Sequence, residues 1–165
     1  MACALATLLA LAGCADPVRE QQRDSLGPEA PGVAQGPLHR AGQPCLICHD
    51  DTTARAFAVA GTVHVDPDAR VPLVDGLVTL LDARGQSYTA ATNCAGNFFV
   101  LPEDFTPVYP LRVRVDLGDQ GVAMESLVQR DGSCASCHGP TPGPRSAGPV
   151  YLSRLPLDPP PRSCP

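Results

Sequence analysis

Apolar and polar residues are distributed unevenly along the chain and divide it into four parts. Residues 2–12 are almost all apolar, and residues 15–43 are polar, with much Pro, Gly, Gln and Glu and almost no apolar periodicity. Residues 57–128 contain short β-like segments separated by turn residues, and residues 141–165 form a Pro-rich tail. Because a segment of low hydrophobicity cannot build a core, residues 14–43 are predicted to be a flexible tether before a folded middle part.

The middle part contains six strand-like segments. Apolar and charged side chains alternate strictly over residues 111–117, which predicts a strand with one buried face. Over residues 59–65 the positions of one parity carry Val or Gly, so His64 is predicted to point away from the apolar core. Residues 77–81 are apolar apart from Thr79 and predict a strand covered on both faces. Two further strands, at 88–92 and 98–101, are joined by a hairpin connection at 93–97. The last strand is predicted at 122–128.

Short strands at this spacing predict a mainly β protein, a small antiparallel β-sandwich over residues 57–128. Three short motifs, Gly61-Thr62-Val63, the loop at 72–78 and Gly96-Asn97-Phe98, resemble the prealbumin-like, carboxypeptidase-regulatory type of β-sandwich. The resemblance covers roughly residues 58–118. It implies a scaffold or adhesive module rather than a catalyst.

Composition indicates a thin polypeptide core. The 165 residues include 19 Pro and 15 Gly, no Trp, and only four Phe and three Tyr. A small domain with so few large side chains usually needs a disulfide, a metal or a cofactor for stability. The net charge is −5 and no run of Lys or Arg occurs, so a nucleic-acid partner is not expected.

The apolar N-terminus has the length of a signal-peptide core and is too short to span a bilayer. It ends in Leu11-Ala12-Gly13-Cys14, which resembles the lipobox of bacterial lipoproteins. The resemblance implies a removable signal peptide at 1–13 and a lipid on Cys14, with several acyl chains as the anchor. It departs from the family pattern in that no Lys or Arg precedes Cys14. The alternative is an ordinary thiol. Ala15, which is not Asp, favours the outer membrane over inner-membrane retention.

Two Cys-x-x-Cys-His motifs carry the chemistry of this chain. They are Cys45-Leu46-Ile47-Cys48-His49, within a segment at 44–56, and Cys134-Ala135-Ser136-Cys137-His138, within a segment at 129–140. Two thiols on one helical turn can each bond to a vinyl group of one porphyrin, and the next residue then places its imidazole on the iron. The two motifs predict two haem c groups, with His49 and His138 as axial ligands.

Three other interpretations of these cysteines compete with haem. Two Cys-x-x-Cys pairs can bind one structural zinc ion. In an oxidising compartment they can form disulfides, or they can act as a dithiol redox pair. None of these requires a His directly after each pair, so the motifs favour haem.

The second axial ligand of each iron has three candidates. The chain has four His, and the two outside the motifs, His39 and His64, would complete bis-His coordination of two haems. Met124 is the rival, and a Met ligand would raise the reduction potential relative to His. A solvated His and a packed Met are the alternatives. The sequence does not assign a distal residue to an iron.

Cys94 and Cys164 remain after the motifs and the lipobox. After export the two are predicted to form a disulfide that ties the Pro-rich tail to the 93–97 connection. The alternative is two free thiols.

The motif regions, about residues 39–49 and 124–138, resemble multihaem c-type cytochromes. The resemblance implies an exported electron carrier, on the periplasmic side of a membrane or at the outer membrane or cell surface, that exchanges electrons with other redox proteins. No set of residues for substrate turnover is evident, so no catalytic residue is predicted. A haem peroxidase would need a five-coordinate iron, whereas the His count fills two sites. The alternative from another class is a non-redox surface lipoprotein whose sandwich binds a partner or glycan.

Overall fold

The computed structural model describes residues 16–154 and residue 157, so Cys14, Cys164 and the predicted signal peptide lie outside the described residues. One helix, two 3-10 turns and seven strands make up the secondary structure of this part. The helix and the two turns are α1 (Pro17–Ser25), Cys45–Ile47 and Cys134–Ser136. The strands are β1 (Val59–His64), β2 (Leu77–Leu81), β3 (Ser87–Ala91), β4 (Asn97–Val100), β5 (Arg112–Leu117), β6 (Gln120–Ala123) and β7 (Val150–Tyr151).

The strands form two sheets that enclose one apolar core. The first sheet has the order β4-β1-β7 and the second the order β3-β2-β5-β6. Val63 from β1 and Val100 from β4 meet Val78 and Leu80 from β2 in one buried cluster. The prediction of a mainly β, sandwich-like protein is therefore confirmed. The second sheet is antiparallel throughout, whereas β7 pairs with β1 in parallel.

The predicted alternation of the 111–117 strand is confirmed. Leu111 and Val115 are buried in the core, while Arg112 and Arg114 are exposed on the outer face of the second sheet. Since each buried aliphatic side chain contributes about 1.5–3 kcal/mol, this face anchors β5 to the core.

Two details of the predicted strands are wrong. Residues 77–81 are covered on one face only, because Leu77 and Leu81 lie on the outer face of β2 and are 47% and 37% exposed. An apolar run does not reveal whether a second layer covers it. The 93–97 connection is not a hairpin within one sheet, because β3 pairs with β2 and β4 pairs with β1.

Gly96 explains how the chain crosses between the sheets at this connection. Its φ angle is +73°, and a Cβ atom there would lie 2.3 Å from the carbonyl oxygen of Val63. The Asn93 side-chain oxygen accepts hydrogen bonds from the backbone N–H groups of Ala95 and Asn97 and closes the turn. The close approach to β1 therefore requires Gly at position 96.

Two segments predicted to lie outside the folded part are ordered against it. The predicted tether contains α1, which begins at its cap Asp16 and is joined to the first motif by an ion pair between Arg19 and Asp50. The Pro-rich tail contributes β7 to the first sheet. Within residues 16–154 and 157, no helix is long and apolar enough to cross a membrane.

Candidate haem-binding sites

The two Cys-x-x-Cys-His motifs fold into the same local structure. In each, the first Cys begins a single 3-10 turn, and its carbonyl oxygen accepts a hydrogen bond of 2.9 Å from the backbone N–H of the motif His. The turn brings two thiols and an imidazole together within five residues. Cys45, Cys48, Cys134 and Cys137 are all free thiols.

The ring of each motif His is held in one tautomer by a backbone carbonyl. His49 Nδ1 lies 2.9 Å from the carbonyl oxygen of Arg55, and His138 Nδ1 lies 2.9 Å from that of Gly148. Because a carbonyl can only accept, Nδ1 is the donor and the lone pair is on Nε2. Imidazoles that bind metals have this arrangement, with one nitrogen bonded to a carbonyl or carboxylate and the other free for the metal.

A cavity of about 230 Å³ lies beside the first motif and contains His39 as well as His49. The centroids of the two imidazole rings are 5.9 Å apart and the rings meet edge to face. His49 stacks on Phe57 at 3.9 Å, and Phe57 stacks on Phe99 at 4.8 Å. The aromatic stack makes one wall of this cavity apolar.

The loop that carries His39 is fastened to the first sheet by buried polar side chains. Asn97 Nδ2 donates to the carbonyl oxygen of His39 at 3.0 Å, and Asn97 Oδ1 accepts from Thr62 Oγ1 at 2.7 Å. The Thr62 hydroxyl in turn accepts from the backbone N–H of Gly42 at 2.7 Å. These contacts also explain why β1 is buried on the face that carries Thr62, which the sequence pattern predicted to be the outward face.

The imidazole of His39 has its own hydrogen-bond partner. Its Nδ1 lies 3.2 Å from Oε1 of Glu29, and Arg40 Nε lies 3.6 Å from the same oxygen. Neither Glu29 nor Asn97 was predicted from the sequence. They lie 10 and 58 residues from His39, and no local pattern links them to it.

A second cavity of about 500 Å³ lies beside the second motif and contains His64, Cys134 and His138. Nδ1 of His64 is buried and has no hydrogen-bond partner among the described residues. Burial lowers the pKa of His64. The backbone of Val150 and the charge of Asp66 partly oppose this shift, but Val150 does not form a well-aligned hydrogen bond with Nδ1. His64 is therefore predominantly neutral at pH 7, which is the form that binds metals.

Cys134 is packed closely against β1. A Cβ atom at Gly61 would lie 2.7 Å from Cys134 Cβ and 2.9 Å from its Sγ, so this position admits the thiol only because it is Gly. Burial raises the pKa of Cys134 to about 12, and the neighbouring Cys45 and Asp131 add to the shift. Burial also raises the pKa of Cys45. Both thiols are protonated at neutral pH.

The two cavities are neighbours. Gln43 and Pro44, directly before the first motif, line both of them, and Cys45 is close enough to Cys134 to contribute to its raised pKa. The structure thus places His39 with the first motif and His64 with the second. It does not bring Met124 to either motif, because Met124 follows β6 in the other sheet and lines neither cavity.

These residues fit two covalently attached haems. Each motif offers two free thiols and an imidazole with a free Nε2, and each cavity adds a second imidazole. Two described polar atoms, His64 Nδ1 and Ser133 Oγ, are buried near the second motif without a protein partner. Across residues 16–154 and 157, no three Cys, His, Asp or Glu side chains are grouped as one metal site.

The other predicted site residues fall partly outside the described residues. Cys94 is disulfide-bonded, and its predicted partner Cys164 is one of the residues that the structure does not describe. The predicted lipidation site, Cys14, also lies outside them.

Comparison of the chain with models of known protein families, with curated proteins and with solved structures finds no match.

Proposed function

We propose that this protein is an exported, lipid-anchored dihaem c-type cytochrome that transfers electrons between redox partners. One observation carries the proposal. Both motifs hold the His ring by a hydrogen bond from Nδ1 to a backbone carbonyl, and each faces a cavity that contains a second His. A zinc site or a disulfide pair would not need either imidazole.

In this proposal each side chain has a defined task. Cys45 and Cys48 hold one haem through thioether bonds, and Cys134 and Cys137 hold the other. His49 and His138 bind the two irons through Nε2. Reversible one-electron reduction at iron is the chemistry that the haem supplies when bound.

The distal positions are assigned to the second His of each cavity. His39 serves the first haem, because its ring centroid lies 5.9 Å from that of His49. His64 serves the second haem, because it shares a cavity with His138. With four imidazoles for two irons, neither iron keeps an open position for a substrate, so the proposed activity is electron transfer rather than catalysis.

Haem stoichiometry tests the proposal directly. Protein expressed with export and a haem-attachment system should show a pyridine haemochrome spectrum of c-type haem, and its intact mass should contain two haem additions. Replacing Cys45 and Cys48 by Ala should leave one haem, and so should replacing Cys134 and Cys137. As a matched control, Cys94→Ala should keep both, because Cys94 lies in neither motif.

A colourless protein with no haem mass would contradict the cytochrome proposal. It would instead support the alternative, a non-redox surface lipoprotein that uses its sandwich to bind a partner or glycan.

A further inference from the structure

We infer that Glu29 is a positioning residue for His39, and that it makes the first haem the lower-potential member of the pair. The inference rests on the proposed function, since it concerns the iron that His39 would bind. The two cavities differ in a way that the shared Cys-x-x-Cys-His pattern does not suggest.

The two proximal ligands are alike, whereas the two distal candidates are not. His49 and His138 both donate from Nδ1 to a backbone carbonyl oxygen at 2.9 Å. His39 donates from Nδ1 to the carboxylate of Glu29 at 3.2 Å, whereas the buried Nδ1 of His64 has no hydrogen-bond partner among the described residues. The distal hydrogen bond is therefore the clearest chemical difference between the two ligand sets.

The Glu29 carboxylate is held in place. Arg40 Nε lies 3.6 Å from the same Glu29 oxygen that His39 contacts, and the Arg40 guanidinium also donates to the carbonyl oxygen of Gly27 at 3.0 Å and to Gln43 Oε1 at 2.8 Å. The Glu29 and His39 side chains are about one quarter exposed, at 22% and 27%. A charge-assisted hydrogen bond that is partly shielded from water orients the His39 ring more strongly than a fully exposed one would.

A carboxylate on Nδ1 makes an imidazole a stronger donor at Nε2. The hydrogen bond to the carboxylate increases electron donation from Nε2, and the carboxylate also places a negative charge beside the ligand. Both effects stabilise the ferric state over the ferrous state. Glu29 therefore lowers the reduction potential of the iron that His39 binds. The backbone of Val150 and the charge of Asp66 act on His64, but no carboxylate of the described residues forms a hydrogen bond with its Nδ1. An electron entering the pair is thus expected to reside mainly on the second haem.

The role of Glu29 is separable into charge and hydrogen bonding by two substitutions. Glu29→Gln keeps an acceptor oxygen for His39 Nδ1 but removes the negative charge, and Glu29→Leu removes both. The matched control is Glu20→Gln, which removes one charge from the same N-terminal segment at an exposed position with no side-chain partner among the described residues.

The experiment is a spectroelectrochemical titration of the two-haem protein, with dithionite as reductant and ferricyanide as oxidant. The wild type should show two one-electron steps. Glu29→Gln should raise the lower potential, Glu29→Leu should raise it further, and the upper potential should stay within error in both. Glu20→Gln should leave both steps unchanged.

A second measurement keeps the inference testable if the Glu29 variants fold poorly. The variant without Cys134 and Cys137 retains only the first haem, and the variant without Cys45 and Cys48 retains only the second. The first-haem protein should have the lower potential. Equal or reversed potentials, or equal shifts in Glu29→Gln and Glu20→Gln, would overturn the inference while leaving the cytochrome proposal intact. A protein without haem would overturn both.

Discussion

His39 and His64, the two candidate distal ligands, are held by different kinds of secondary structure. His39 is part of a loop held by side chains of the first sheet, whereas His64 is the last residue of β1 and is fixed by backbone pairing with β7. Parity predicted that the His64 ring points away from the core, and the structure places it in a cavity on that face. Nδ1 of His64 is buried, and His64 lines the same cavity as Cys134 and His138 of the second motif.

If the bis-His proposal holds, we expect His64→Ala to remove the second axial ligand from one iron and to leave the coordination of the other iron unchanged. The reduced protein should gain a high-spin component and bind one equivalent of carbon monoxide, since no other imidazole lines the second cavity besides His138. His39→Ala should do the same at the first haem. Absorption and carbon monoxide titration of the single-haem variants would assign each change. Met124→Ala is the control. A spectrum that responds to Met124→Ala and not to His64→Ala would contradict the bis-His assignment.

A methyl group at position 61 should lower the stability of the fold, because it collides with Cys134 of the second motif and with no residue of the first. In Gly61→Ala the new Cβ would lie 2.7 Å from the Cβ of Cys134, and neither atom is at the end of a flexible side chain. Such overpacking costs about 1–3 kcal/mol. Urea unfolding should show a lower midpoint with an unchanged slope. The control is Gly143→Ala, where a Cβ meets nothing within 4 Å. Equal stability of the two variants would contradict the close packing of Cys134.

At the scale of elements, the first sheet is the scaffold on which both candidate sites are assembled. Thr62 of its strand β1 accepts a hydrogen bond from Gly42, three residues before the first motif, and Gly61 of β1 lies against Cys134 of the second. The second sheet supplies the other half of the core and carries no part of either cavity lining. Substitutions on the outer face of the second sheet should therefore change stability or solubility without changing the candidate sites.

Asp82, at the end of β2, joins two loops of the second sheet and gives a pH-dependent prediction. Its carboxylate accepts backbone hydrogen bonds from Arg84 and Gln86 through Oδ1 and from Val108 through Oδ2. Burial alone would raise the pKa of Asp82, but these three hydrogen bonds lower it below its ordinary value of 3.8. Because the folded-state pKa is the lower one, the stabilisation is complete well above pH 3.8 and is lost as the pH falls through the folded-state value.

Asp82→Asn should therefore be less stable than the wild type at pH 7, and the difference should shrink as the pH falls below about 4. Thermal unfolding from pH 7 to pH 2.5 measures this. Asp104→Asn, a substitution at an exposed carboxylate, should change neither the stability nor its pH dependence. A gap between Asp82→Asn and the wild type that is constant across the pH range would contradict the role of the ionised carboxylate.

At the scale of the whole molecule, the N-terminal segment does more than connect the domain to a predicted lipid. Ser25 and Leu26, at the end of α1, line the second cavity, and Glu29 contacts His39 beside the first. The N-terminal segment thus contributes residues to both candidate sites. If Cys14 carries the lipid, only Ala15 separates the predicted anchor from Asp16, the first residue that the structure describes. The candidate sites are therefore expected to lie close to the membrane surface.

Cys14→Ser should release the protein from membranes into the soluble fraction, because it removes the acceptor of the acyl chains. Fractionation after a high-salt wash measures this, with haem content as a check that export and attachment are intact. The control is Cys94→Ser, which should remain membrane-bound. A Cys14→Ser protein that stays in the membrane fraction would show that the anchor lies elsewhere.

Local spacing is sufficient to predict β1 to β5 and the two motifs, whereas β7 was not predicted and the predicted strand at 122–128 lies at Gln120–Ala123. Period-two alternation at 111–117 is a property of neighbouring residues, and the Cys-x-x-Cys-His spacing predicts a single turn wherever it occurs. Only the tertiary structure decided the remaining features. Whether β2 is covered on both faces, which His joins which motif, and the contacts of Glu29 and Asn97 all depend on residues far apart in the chain. Packing of the two sheets and the loop at 36–44 brings those residues together, and no local pattern records such contacts.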